Sequence, residues 1–304
     1  MSAAVATVIC LGAAVVDRVY AVEAIPATPQ KVQAHDYRER CGGIAATAAV
    51  AIASLGHAAV LWGRVGDDAS AALLLDALAR HGVAIGAVRQ IPGAKTPSAA
   101  VIVDAQGERL LAVFPGSGLE NDPNWLPLDD LTRAGALLVD ARWPEGALHA
   151  LRAAKRCGVP SVLDADLGEP EVLAALAGEA GHSIFSAQGL RRFSGLGDPE
   201  AGMRAAQKRT AGLVGVTLGA EGVCWLEQGE LRRQPAFKII ARDTTGAGDT
   251  FHGAYALALA QKQSIEQAMR YAAAAAAIKV RCGEGWDGMP DPAAIKQLLE
   301  SEKT

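Results

Sequence analysis

The stretch Asp243-Thr-Thr-Gly-Ala-Gly-Asp-Thr-Phe-His-Gly-Ala-Tyr-Ala256 joins a glycine-rich turn to the start of a helix. Gly246 and Gly248 leave the backbone open to close approach by a ligand. The unpaired amides of a helix's first turn, with the positive end of its dipole, form an anion site there. Asp249 stands at the mouth of that site. A carboxylate is badly placed beside a bound anion unless its task is to accept a proton. The spacing therefore implies group transfer. The amides of Gly246, Ala247 and Gly248 hold a moving phosphoryl group, and Asp249 orients and deprotonates the attacking hydroxyl. The competing reading, an aspartate capping a helix after a glycine loop, is common in α/β proteins. No Gly-Lys-Ser/Thr follows, so the turn is not a Walker A loop.

Elements must bring this turn to a substrate. The chain has 304 residues, half of them hydrophobic, enough for one large α/β domain spanning 1–304. A net charge of −4 without basic clusters argues against a nucleic-acid surface. The five cysteines, Cys10, Cys41, Cys157, Cys224 and Cys282, lack metal or redox spacing, which suggests a reduced, cytoplasmic protein. The apolar stretch 3–16 is too short to span a membrane and has no basic flank, so it reads as a buried strand.

Residues 5–11 form that strand, closed by Gly12. Two half-polar strands follow, Val15–Val22 and 31–40, which do not suit a parallel core. With the hairpin Ser98–Val103 and Arg109–Phe114 they are expected to project as a small lid, formed by about 15–40 and 96–114. Cys41-Gly-Gly opens an alanine-rich helix to Leu55, followed by a strand over 59–63 and a helix over 68–81 ended by Gly82. From Ala136 onward strands at 137–140, 161–164, 183–185 and Leu213–Thr217 alternate with helices at Pro144–Cys157, 170–180 and 199–210. Such alternation gives a right-handed, doubly wound, mostly parallel sheet with helices on both faces. A late hairpin pairs 222–226 with 231–237, and Ser264-Ile-Glu-Gln267 is a capping box for the helix carrying alanines 272–277. Asp291-Pro292 starts the last helix.

Asp-Thr-Thr-Gly-Ala-Gly-Asp, three residues, then Gly-Ala resembles the C-terminal signature of the ribokinase-like (PfkB-type) carbohydrate kinases, and the resemblance covers nearly the full chain. It implies a ribokinase-like α/β fold with a small β-sheet lid. It also implies ATP with Mg²⁺ as cofactors and a small sugar as acceptor; pairing of lid strands across a homodimer is left open. Asp17, after the first strand, matches the acid that holds sugar hydroxyls, and Gly42-Gly43 matches the N-terminal glycine pair near the sugar. The usual asparagine four residues further on is Thr47 here. Val216-Thr217-Leu218-Gly219-Ala-Glu-Gly222 resembles the nucleotide loop, which assigns Thr217, Gly219 and Gly222 to ATP together with Gly248. Ser186-Ala-Gln-Gly189 replaces the family's Asn-x-x-Glu, leaving Ser186 on the nucleotide side and Asp166 to reach Mg²⁺ through water. Asp243 and Thr245 match positions that hold a monovalent cation such as K⁺ in many relatives, beside the loop 281–285.

Lys31, in a lid strand, and Arg142, after the strand ending at Asp140, are cations near the expected sugar site. They resemble the pair that grips the sulfonate in the sulfofructose-kinase branch, whose third residue, an asparagine, is Val113 here. A keto-sugar or anionic sugar is the favoured acceptor, phosphorylated on a primary hydroxyl. Thr47 and the 186–189 departure also admit a weakly catalytic sugar- or nucleotide-binding regulator. A dinucleotide oxidoreductase fits poorly, because no Gly-x-Gly-x-x-Gly follows the first strand.

Overall fold

The runs Thr-Val-Ile-Cys-Leu, Ala-Leu-Leu-Val-Asp and Ser-Val-Leu-Asp-Ala show no alternation, so the strands they form must be covered on both faces. That is the arrangement in the computed structural model, which describes residues 5–166 and 168–301. Ala3 and Ala4, at the start of the apolar stretch 3–16, lie outside the described residues.

In chain order the strands are β1 (Thr7–Leu11), β2 (Val15–Val22), β3 (Ala34–Gly42), β4 (Ala58–Gly66), β5 (Val83–Ile91), β6 (Ser98–Val103), β7 (Arg109–Phe114), β8 (Ala136–Asp140), β9 (Ser161–Ala165), β10 (His182–Ser186), β11 (Leu213–Thr217), β12 (Val223–Glu227) and β13 (Glu230–Gln234). The helices are α1 (Ile44–Ser54), α2 (Ala69–Arg80), α3 (Pro144–Cys157), α4 (Pro170–Ala177), α5 (Ala187–Ser194), α6 (Pro199–Gln207), α7 (Ala247–Ala260), α8 (Ile265–Cys282) and α9 (Pro292–Ser301).

Nine strands make one sheet in the order β13-β12-β11-β10-β9-β8-β1-β4-β5. All pairs from β5 to β11 are parallel, and β12 and β13 add antiparallel at one edge. One core face is filled by α1, α2, α7, α8 and α9, the other by α3 to α6. The alanines of α1, α7 and α8 let these helices approach closely. A Cβ on Gly253 would lie 2.7 Å from the Ala48 carbonyl, so α1 and α7 meet almost backbone to backbone. The chain leaves β1 in opposite directions toward β4 and β8, which puts a topological switch at the carboxyl ends of β1 and β8. A ligand crevice belongs there.

The second sheet, β3-β2-β6-β7, stands apart from the first. It joins the two polar strand pairs through the parallel contact of β2 with β6. Asp68, Asp198 and Ser264 cap α2, α6 and α8 with their side chains, as their sequence positions predict. Among the described residues no helix is long and apolar enough to cross a membrane.

Several elements differ from the sequence expectation. The strand predicted over 31–40 runs from Ala34 to Gly42, and Lys31 lies outside it in an exposed, irregular segment. The partner strand explains the shift: β2 ends at Val22, opposite Ala34 and after a bulge, so nothing remains to pair with Lys31. β5 was not anticipated, since Gly86, Arg89 and Gln90 interrupt its apolar pattern; as a sheet edge it needs only one good face. α5 was missed too, although Ser186 and Gly195 punctuate it at both ends. α4 and α6 stop at Ala177 and Gln207, three residues short of expectation. β13 ends at Gln234 because Pro235 has no N–H to donate.

Candidate active site

Gly246 adopts φ 74°, a left-handed conformation that suits glycine, and caps α7 without any side-chain cap. The Ala247 amide turns back to the Thr244 carbonyl (3.2 Å). Among the described residues no hydrogen bond takes the Gly246, Gly248 or Asp249 amide, so of the turn expected at 246–248 only the Ala247 amide is engaged. Gly248 faces open space, since an added Cβ would meet nothing within 4 Å. Asp249 is half-buried beside it. Desolvation pushes its carboxyl well above the usual range; Asp164, Asp140 and Asp166 push the same way, against the pull of His252.

On one side of the turn, Thr217, Gly219, Gly222, Phe251, Ala273 and Ala277 line a cleft of about 640 Å³ that reaches Gly248. The alanines of α8 supply part of an apolar wall, as their spacing on one helix face allows. Ser186 pairs with Thr217 in the sheet register, yet its hydroxyl accepts from the Gly189 amide (2.9 Å) as the cap of α5. It does not line the cleft.

On the opposite side, Asp17 lies beside the glycine pair: a Cβ on Gly42 would sit 3.3 Å from Asp17 Oδ2. Burial raises the Asp17 pKa, with Arg40 opposing. Gly43 has φ 100° and packs against the Ala13–Ala14 backbone, a position closed to any side chain. Thr47 is buried and accepts from Trp286 Nε1 (3.0 Å), directly beneath Gly246. Its hydroxyl thus ties α1 to the turn at Gly285–Gly288, while its methyl packs beneath Gly246.

Asp140, unremarked in the sequence except as a strand end, ties this region together. Its Oδ2 accepts from the Ala13 amide (2.7 Å) and the Ala45 amide (3.2 Å), and its Oδ1 from the Arg142 amide (2.8 Å). Burial pushes its pKa up to about 6 despite those amide bonds. Arg142 itself points an exposed side chain from the carboxyl end of β8 and makes no ion pair among the described residues. Lys31 is exposed three residues before β3.

A second buried acid, Asp164, holds His252. Nδ1 of the ring lies 2.9 Å from Asp164 Oδ2 and 2.8 Å from the Gly248 carbonyl, and Nε2 lies 3.2 Å from the Ile184 carbonyl. Every partner is an acceptor, so both nitrogens carry hydrogen and the ring is an imidazolium. Burial alone would lower its pKa; Asp164 and the two carbonyls outweigh that and raise it to about 9. A histidine on the buried face of a helix was the only sequence signal. The pair pins the first turn of α7 to β9 and β10.

The four-stranded sheet reaches the same turn. Arg109 on β7 donates to Thr245 Oγ1 (2.8 Å) and to Asp243 Oδ1 (3.4 Å), and Arg40 on β3 lies 3.6 Å from Asp243 Oδ2. Asp243 also accepts from the Thr245 amide (2.9 Å). Burial would raise its pKa, but the Thr245 bonds and Arg109 hold it below the usual carboxylate value. The oxygens expected to hold K⁺ are thus bonded to guanidinium groups, and they do not fit an added monovalent ion. Asp166 is half-buried after β9. Among the described residues no three His, Cys, Asp or Glu side chains converge to hold a metal.

A nine-stranded α/β sheet with a glycine turn of unengaged amides, an apolar cleft and a separate four-stranded sheet is the frame of a phosphotransferase. Residues 5–292 match the family described as pfkB family carbohydrate kinase, and the chain belongs to that family. It is similar to the ribokinase of Arabidopsis thaliana, 28% identical over 307 residues that cover 96% of this chain and 80% of that protein. Among solved structures, a provisionally named ribokinase from Agrobacterium tumefaciens shares 32% identity at a TM-score of 0.92, with 99% of each chain covered. The Arabidopsis thaliana ribokinase complexed with ribose and ATP shares 28% identity at a TM-score of 0.87, covering 98% of this chain and 99% of that one.

Proposed function

We propose that this carbohydrate kinase transfers the γ-phosphoryl group of ATP to a primary hydroxyl of a small keto-sugar or anionic sugar. The observation that carries the reading is the place of Asp249. It stands beside unengaged backbone amides and next to Gly248, which lines the apolar cleft, and Asp140, which ties the Ala13 and Ala45 amides on either side of Gly43, is among its charged neighbours. Adenine fits the cleft against the α8 alanines. The phosphates run past Gly219 and Gly222 to the Gly248 and Asp249 amides, where the helix dipole favours negative charge. Asp17 and the glycine pair hold the sugar, and Asp249 takes the proton of the attacking hydroxyl. Burial and the neighbouring acids raise its proton affinity, which favours its taking that proton. Magnesium would arrive on the nucleotide phosphates and neutralise their charge, with Asp166 reaching it only through water.

Arg142 supports the anionic form of the acceptor, because a guanidinium at a strand's carboxyl end can hold a planar anion through two parallel bonds. A sulfonated keto-sugar is the narrower alternative. Arg142 and Lys31 would supply its cations, Lys31 from the loop ahead of β3, while Val113 offers no third donor. ATP consumption across neutral and anionic sugars tests the reading. Arg142→Ala should lower kcat/KM for an anionic sugar roughly ten- to a hundredfold and leave its neutral analogue nearly unchanged. Equal losses for both would make Arg142 structural and remove the anionic acceptor.

The sheet β3-β2-β6-β7 serves as a lid on a single kinase body spanning 1–304 in this reading, latched to the anion turn by Arg40 and Arg109. Hydrogen exchange over 15–40 and 96–114 should slow when sugar and nucleotide bind, and unchanged exchange at saturation would count against closure. β7 exposes Leu110, Leu111, Val113 and Phe114 on a sheet edge, which supports a homodimer through lid strands; a monomer mass by light scattering would exclude it.

A further inference from the structure

α8 is lined with alanine on its buried face, and one charged side chain interrupts that lining. Lys279 is 1% exposed, and its Nζ donates to the Gly283 carbonyl (3.0 Å) in the turn that ends the helix. An ammonium taken out of water is stable only where carbonyls and carboxylates surround it. The surroundings here are the anion turn itself. Lys279 Cε lies 3.8 Å from where a Cβ on Gly246 would be, so the side chain runs beneath the glycine that caps α7. The Arg242 and Asp243 amides both donate to the Val280 carbonyl (3.0 and 3.3 Å), which sews the entry of the turn to the last turn of α8. A Cβ on Gly283 would touch the Asp243 side chain at 3.4 Å. Lys279 Nζ is thus held between the loop after α8 and the loop before α7.

We infer that Lys279 is a built-in cation for the anion turn, and that with Arg40 and Arg109 it makes nucleotide binding and turnover independent of any added monovalent ion. The inference rests on the kinase reading for turnover, but not for nucleotide binding. The charged groups facing Lys279 are Asp243 in the turn, Asp249 on α7 and Arg40 on β3, with the Cys282 thiol on its own helix. Burial pulls its pKa down, and Asp243 opposes that pull. A lysine covalently fixed here costs nothing in ion-binding entropy and cannot exchange. Its charge backs the Gly248 and Asp249 amides from inside the fold, while Arg109 covers Asp243 from the lid.

The test compares KCl, NaCl and choline chloride at equal ionic strength, reading ADP affinity by calorimetry and kcat/KM with the sugar that gives the highest turnover. The wild type should give values within about twofold in all three salts. Lys279→Met, which keeps length without charge, should weaken ADP binding and turnover about tenfold or more in choline chloride, the worth of one charge-assisted contact. Potassium should restore much of that loss by entering the vacated place. Activation of the wild type beyond about fivefold by potassium would overturn the inference. A Lys279→Met protein that behaves as wild type in every salt would do the same. So would a loss that potassium leaves unrepaired, since Lys279 would then only shape the loop. Lys279→Gln serves if the methionine variant does not fold, and the wild-type salt series needs no variant. Should no sugar be turned over, the kinase reading falls while the ADP series still decides the role of Lys279.

Discussion

Asp249→Asn should lower turnover by roughly two to four powers of ten while ADP affinity stays within a fewfold. The substitution preserves the size and the position of the side chain, and the turn around it is held by other groups. Thr250 Oγ1 bonds the Gly246 carbonyl (2.8 Å), and the Asp164–His252 pair anchors the next turn of α7. What the variant loses is the ability to accept a proton. The pH dependence follows from the same carboxylate. Desolvation and the neighbouring acids hold its pKa well above the usual range, so the wild-type rate should fall on the acid side as Asp249 takes up a proton. That acid limb should vanish from the residual activity of the variant. The measurement is a pH series of kcat/KM for both proteins, with circular dichroism to check the fold. Near-normal turnover by Asp249→Asn would remove the base from the mechanism.

The anion turn was legible because its chemistry is local: glycines, threonines and Asp249 lie within one loop and one helix turn. The parallel strands were legible for a similar reason, since an uninterrupted apolar run has to be covered twice. What escaped were partners distant in the chain. The Asp140–Ala45 bond spans 95 positions and the Arg109–Thr245 bond spans 136, and no spacing rule joins such residues. The sequence reading singled out Arg142 for its charge, although the buried acid two residues earlier organises the crevice. Lys31 was placed in a strand by its alternating neighbours, but strand length is set by the partner, and β2 ends too soon. Lys279 was hidden by its context, since a lysine in an alanine-rich helix ordinarily faces water.

Asp140→Ala should cost about 2–4 kcal/mol of unfolding free energy at pH 5, read from urea denaturation. Three amide donors, from Ala13, Ala45 and Arg142, lose their acceptor at once. The figure is less than three times the cost of a buried orphan donor, because Ala13 and Arg142 are partly open to water whereas Ala45 is not. The loss should shrink as the pH rises to 8. Asp140 has a pKa of about 6 in the folded chain, above the ordinary 3.8, so its favourable contribution is complete below 3.8, declines as the pH rises from there through 6, and changes no further above it. Above that, the wild type holds a buried charge that the variant lacks. Function should suffer with stability, because the same three amides fix the Gly12 turn that leads to Asp17 and the first turn of α1 behind Gly43. The sugar KM should therefore rise in Asp140→Ala while ADP affinity changes little, the cleft being built from β11, α7 and α8 instead. A stability gap that stays constant between pH 5 and 8 would show that Asp140 keeps its charge at no cost, and the burial argument for this side of the crevice would then fail.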